Sequence, residues 1–136
     1  MDHRDGASGV LTTGAILAGL GVAAGALGSH ALRGILLPEQ LAVFETAVRY
    51  QMYHALALIA TGILMAGAEG RASRLFRYAS IAFTAGIMLF SGSLYLLTLS
   101  GMRWPGIVTP GGGLCFLAGW ALFALGCRRQ AGSGPP

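Results

Sequence analysis

Glu45 and Arg49 stand four residues apart, the spacing at which a carboxylate and a guanidinium on one helix face can pair. Tyr50 and His54 repeat that spacing, and Thr61 comes seven residues beyond His54, so one side of this segment carries a polar stripe. His30 and Arg33 lie shortly upstream. Ser80, Thr84, Ser91, Tyr95 and Thr98 fall within about 60° of one another at 100° per residue, and Ser93 lies between Ser91 and Tyr95 in the chain. Thr109 and the run Gly111, Gly112, Gly113 come later.

Several chemistries can be set against these residues. Arg33 and Arg49 offer positive charge to a polar or anionic small molecule or a lipid headgroup. His30 and His54 offer a pair of imidazoles of the kind that ligates haem between helices. Ser91 with His54 is the one nucleophile and base couple, and Glu45 is expected to pair with Arg49, so catalysis is not expected. Cys115 and Cys127 have no metal-motif spacing. Twelve residues of helix would hold them about 18 Å apart, too far for a disulfide.

The elements that must position these residues can be read from where the charges are absent. Hydrophobic residues make up 54% of the 136-residue chain and charged ones 10%, against about 25% charged in soluble domains. Too little polar surface remains to cover a water-soluble fold. The charge-free gaps run for 27 residues between Asp5 and Arg33, 19 between Arg49 and Glu69, 25 between Arg77 and Arg103, and 24 between Arg103 and Arg128. A helix needs about 20 apolar residues to cross a hydrocarbon core of about 30 Å.

The expectation is therefore an all-α, four-transmembrane-helix bundle in one membrane domain, residues 1–136. Its spans fall at about 10–28, 48–67, 78–99 and 110–127, with 128–136 as a flexible tail. Pro38 to Ala47 is expected as a short interfacial helix before the second span, because Pro38 to Met65 stays helical in pattern and is longer than the core is thick. Thr109-Pro110 reads as a cap and first turn. Continuous apolar runs without alternation exclude a β-barrel. Met1 to Asp5 has one Arg against two Asp, so the first apolar run reads as a span and not as a cleaved leader. Small residues four apart (Gly14 and Ala18; Gly21, Gly25 and Ser29) are expected to pack this helix against its neighbours.

All nine basic residues are Arg. Arg4, Arg71, Arg74, Arg77, Arg128 and Arg129 fall on the side of the termini, and Arg33, Arg49 and Arg103 on the other. Six against three places both termini in the cytoplasm. The arginines sit at span ends and form no aromatic-interleaved stripe, which excludes nucleic acid as a partner. In this arrangement His30, Arg33, Glu45, Arg49, Tyr50, His54, Ser91, Ser93, Tyr95 and Thr109 all come to one level near the outer leaflet. The start of the second and fourth spans would aim positive helix ends at the same level.

Several blocks carry a resemblance. Residues 25–32 (Gly-Ala-Leu-Gly-Ser-His-Ala-Leu), the long block 44–56 from Phe44 to Leu56, residues 90–96, and Thr109-Pro110-Gly111-Gly112 with Gly119-Trp120 resemble the YgdD-like family of small membrane proteins. Ser29 stands where members often have Ala. The resemblance covers about Gly14 to Cys127. It implies four membrane helices, a bacterial inner-membrane location and no established activity, and it marks His30, Glu45, Arg49, His54, Ser91 and Tyr95 as motif positions.

The functional expectation is a non-enzymatic binding or transport module with a polar pocket near the outer leaflet, and no cofactor or metal. The alternatives are an assembly subunit of a larger membrane complex, and a haem- or metal-binding redox protein. The expected partners are the lipid bilayer and either a second copy or another membrane protein.

Overall fold

The computed structural model describes residues 3–132, and every regular element among them is helical. Helix α1 spans His3–His30, and a 3-10 turn at Leu32–Gly34 leads to α2 at Pro38–Ala66. Helix α3 (Gly70–Gly86), a π-helical stretch (Ile87–Ser91) and α4 (Gly92–Ser100) then run on as one helical rod. Gly101 stops that rod in the left-handed conformation, at φ 71°, which glycine adopts without a Cβ penalty. A second 3-10 turn, Trp104–Ile107, precedes α5 (Thr109–Ala131).

Three of the long rods, 5–34, 70–100 and 104–131, are long and apolar enough to cross a membrane. Helix α2 is not among them. Arg49, Tyr50, Gln51 and His54 crowd its first half and lower its mean hydropathy.

Three boundaries differ from expectation. The first helix begins at His3, not near Val10, because Ala7 is buried against Met65, Ala68 and Ala72 and draws the early turns into the fold. Pro38 to Ala47 is no separate interfacial helix but the first third of a continuous 29-residue helix. No Gly or Pro interrupts the chain between Glu39 and Thr61, and Phe44 and Ala47 are already buried. Arg128 to Ala131 are not tail but the end of α5, where the Gln130 side-chain N–H donates to the Leu64 carbonyl at 3.4 Å. The rest of the expected tail, 133–136, lies outside the described residues.

Small residues set how the rods meet. Inside lipid the hydrophobic effect does not drive helices together, so close packing must do so. The buried positions of α1 are Ala7, Gly14, Gly21 and Gly28, every seventh residue. Each of the three glycines lies against α2. A Cβ on Gly14 would come within 3.0 Å of the Ala55 carbonyl, one on Gly21 within 2.9 Å of Met52 Sδ, and one on Gly28 within 3.1 Å of the Phe44 ring. The pairing is antiparallel, and the repeat is seven where the sequence suggested four. Helices crossing at a small left-handed angle bring the same face back every two turns.

The second hairpin uses the same period with larger knobs. Phe76, Phe83 and Phe90 of the third rod lie over Gly126, Gly119 and Gly112 of α5, and Phe116 reaches back over Gly86. A Cβ on Gly119 would stand 2.6 Å from the Phe83 ring, and one on Gly126 2.8 Å from the Phe76 ring. At Gly112 the obstacle is the Phe90 backbone itself. Helix α2 lies between the two hairpins and packs on α1, α3, the π stretch and α4.

Adjacent glycines of α5 therefore have opposite roles. Gly112→Ala is expected to destabilise by about 1–3 kcal/mol, because backbone cannot yield as a side chain can. Gly111→Ala, whose Cβ would meet nothing within 4 Å, is expected to be neutral or to stabilise by up to about 1 kcal/mol. Thermal unfolding in detergent, monitored by circular dichroism, separates the two. Equal melting temperatures would refute the Phe-over-Gly seam.

Candidate functional site: the polar interior of α2 and the groove beside it

Gln51 is a buried amide in the middle of an apolar assembly, and both its nitrogen and its oxygen are bonded. Its Nε2–H donates to the Leu17 carbonyl of α1 at 2.8 Å, and its Oε1 accepts from the Tyr95 hydroxyl of α4 at 2.8 Å. One side chain thus ties three helices together. Tyr95 is held in turn by the Phe44 ring, 5.0 Å away between centroids.

His54 lies one turn further along α2 and is also buried. The Trp120 indole N–H donates to its Nε2 at 3.2 Å. Nε2 must then carry a lone pair, so the proton is on Nδ1, which donates to the Tyr50 carbonyl at 2.7 Å. The ring is neutral and its tautomer is set by its partners. It stacks on Phe116 with centroids 3.5 Å apart and planes 7° from parallel. Phe83, Tyr50 and Trp120 complete an aromatic wall.

The remaining hydroxyls divide among different neighbours. Ser93 Oγ donates to the Phe90 carbonyl and shares a 2.7 Å hydrogen bond with Thr109 Oγ1, pinning α4 to the start of α5. Thr109 is therefore a tie between helices and not a side-chain cap. Thr98, Thr84, Ser80 and Thr61 bond to carbonyls of their own helix. Ser91 Oγ is buried in the π stretch with no partner, an arrangement that costs about 1–3 kcal/mol. Its neighbour in the expected couple, His54, has both nitrogens engaged elsewhere, so no nucleophile and base pair forms.

The stripe expected along the third span is split. A π turn holds more residues per turn than an α turn and rotates the helix beyond it. Tyr95 then reaches α2, while Thr84 stays on the side of α1; Ser93, on the opposite face of α4 from Tyr95, reaches α5.

Glu45 and Arg49 form no ion pair with each other, contrary to their spacing. Both are exposed and line a groove of about 390 Å³ between α1 and α2. Ser29, Phe44, Val48, Met52 and Tyr53 form the rest of its walls. Each charged side chain therefore remains available to something in the groove.

His30 and Arg33 are exposed beyond that groove, at the end of α1 and in the turn after it. The helix pairing places Gly21 beside Met52 and Gly28 beside Phe44. His30 is thus about eleven residues, or roughly 16 Å, further along the axis than His54. The two histidines do not share a level, and His54 has no open nitrogen for a metal. The positive end of α2 is at Pro38, about two turns beyond Glu45 and too far to act in the groove. The ten expected residues therefore separate into three groups. His54 and Tyr95 belong to the interior, with Tyr50 stacked at its edge. Ser93 and Thr109 form a helix joint, with Ser91 in the π stretch. Glu45 and Arg49 lie in the groove, with His30 and Arg33 beyond it.

Sequence reasoning missed Gln51, Phe116 and Trp120. For Gln51 the signal was present, since an uncharged amide within an apolar run must find partners. Nothing in the sequence announced which ring would face His54.

The family model described as "Protein of unknown function (DUF423)" matches residues 24–113, and this chain belongs to that family. It is 40% identical over 119 residues to a UPF0382 membrane protein of Staphylococcus haemolyticus, covering 88% of this chain and 94% of that one. It is 41% identical over 108 residues to the UPF0382 inner membrane protein YgdD of Escherichia coli, covering 79% and 80%. No solved structure matches it.

The Gln51 link is expected to behave as a coupled pair. Gln51→Leu leaves the Tyr95 hydroxyl orphaned and should cost about 1–3 kcal/mol. Adding Tyr95→Phe should recover part of that loss. A double-mutant cycle of melting temperatures in detergent measures the coupling, and strictly additive effects would show that the bond contributes nothing.

Proposed function

We propose that this member of the family is a non-enzymatic binding module that crosses the bacterial plasma membrane four times as one membrane domain. It takes a small polar or anionic molecule, or a lipid headgroup, in the groove between α1 and α2 on the side away from the termini. The observation that carries this reading is the state of Glu45 and Arg49. They stand at pairing distance in sequence, yet both line the same groove and neither neutralises the other. Arg49 can meet a phosphate or carboxylate, and Glu45 can accept from a hydroxyl or ammonium group. Phe44, Met52 and Tyr53 supply apolar wall to the remainder of a ligand.

The fourth span in this reading is α2. Gln51, His54 and Thr61 on it are buried in protein and not turned to lipid, so it needs less apolar surface than the helices around it. The arginine distribution puts the termini in the cytoplasm. Relatives named as inner membrane proteins support the location. Nothing in the arrangement favours a channel: apart from the Ser91 hydroxyl, the interior polar groups bond one another or helix backbone and leave no wetted path.

Two measurements test this. Reporter fusions after Glu69 and at the C-terminus should report cytoplasm, and a fusion at Gly101 should report the opposite side. Loss of that alternation would remove the four-span topology. Native mass spectra from mild detergent should show a bound mass on the wild type that Arg49→Ala and Glu45→Ala each lose, since both side chains are exposed and their removal leaves the fold intact. Bare wild-type protein, indistinguishable from Arg49→Ala, would overturn the binding reading and favour an assembly subunit.

A further inference from the structure

A second and larger cleft lies at the other end of the molecule. It has a volume of about 850 Å³ and opens between α1 and α3, with α2 as its floor. It exists because α1 packs along α2 and scarcely touches α3. The glycine stripe holds α1 close to α2, and on its flank Gly9 presents no side chain at all.

The chemistry of the cleft is that of one lipid molecule. Its walls are apolar: Val10 on α1, Leu58 and Met65 on α2, Ile81 and Met88 on the third rod. Three of the hydroxyls along it add little polarity, because Thr13, Ser80 and Thr84 each donate to a carbonyl of their own helix. Charge is confined to the end near the α2–α3 turn, where Arg74 and Arg77 line the cleft. They lie three residues apart on one side of α3, both exposed. No carboxylate is among the described lining residues.

Length selects among amphiphiles. From Arg77 to Met88 the wall of the third rod is eleven residues, about 16 Å at 1.5 Å per residue. That is half of a hydrocarbon core about 30 Å thick, the depth of one leaflet. The two cations stand at one end of that wall, as a headgroup partner must when the acyl chain runs along the rest. The volume falls within the range of about 300–1,000 Å³ typical of small-molecule sites.

We propose that this cleft holds one anionic phospholipid from the leaflet that meets the termini, with Arg74 and Arg77 on its phosphate and an acyl chain between α1 and α3. The site is independent of the Glu45–Arg49 groove. It shares no lining residue with that groove and lies at the other end of the molecule. A bound lipid would also fill the gap between α1 and the second hairpin, so it would act as part of the fold.

The test is a lipid competition read by native mass spectrometry on the full-length protein in mild detergent. Phosphatidylglycerol and phosphatidylcholine of equal chain length are supplied in equal amounts. Wild type is expected to retain one phosphatidylglycerol in preference to phosphatidylcholine. Attraction of two arginines to an anionic headgroup predicts a preference of roughly thirtyfold. Arg74→Gln with Arg77→Gln should bring that preference near unity. Gly9→Phe should expel both lipids, because a Cβ there meets nothing within 4 Å and the ring has the cleft as its free space. Unchanged melting of Gly9→Phe in detergent would show that the fold persists. Equal retention of the two lipids by wild type, or a bound phosphatidylglycerol that survives both the double Arg variant and Gly9→Phe, would overturn the proposal. Arg49→Ala should leave this preference untouched, which keeps the two sites distinguishable.

Discussion

Close approach of helix backbones is the constraint on which the rest of this protein depends. Lipid tails are as apolar as Leu, so burying Leu between helices gains little. What distinguishes a packed pair from a dispersed one is contact density, and glycine allows the most. Gly14, Gly21 and Gly28 let α1 lie along α2. Gly112, Gly119 and Gly126 receive Phe90, Phe83 and Phe76 in the same way. Both seams repeat every seven residues, and both are antiparallel. The two hairpins are built by one device with different knobs.

Those seams decide where polar groups can go. With one face of α1 and one face of α5 committed to close packing, α2 becomes the helix surrounded on most sides. It is also the helix that does not reach the apolarity of a membrane span by itself. Gln51 and His54 are tolerable there because their polar atoms find partners within the fold or on their own helix. Their directional bonds fix the relative rotation of α1, α2, α4 and α5, which apolar contacts alone leave loosely determined. The π stretch turns α4 enough for Tyr95 to take part, with the unpartnered Ser91 hydroxyl as its visible cost.

The same packing leaves two openings. One is the groove beside the α1–α2 seam that Glu45 and Arg49 line. The other, at the opposite end, is where α1 stands away from α3. Neither opening reaches the other, since the satisfied interior of α2 lies between. A molecule of 136 residues thereby carries a mixed-sign groove lined by Glu45 and Arg49 at one end and a cleft lined by Arg74 and Arg77 at the other.

Much of this was readable before any coordinate. Three of the four charge-free gaps fall on helices apolar enough to cross a membrane, because charge in hydrocarbon is too costly to be scattered at random. Small residues in the first span announce close packing. The resemblance of the blocks around His30, Glu45 and Ser91 names the family. Tertiary structure alone decided which polar residues meet. The i,i+4 spacing of Glu45 and Arg49 permits a pair, but the groove draws both side chains outward. His30 and His54 look alike in sequence and lie about three turns apart in depth, since the register of α1 on α2 is set by glycines. Tyr95 finds Gln51, and Trp120 finds His54, across separations of 44 and 66 residues. Local spacing determines which face of a helix a residue occupies. It does not determine how that helix is rotated against its neighbour, and that rotation is fixed by side-chain volumes on both partners at once.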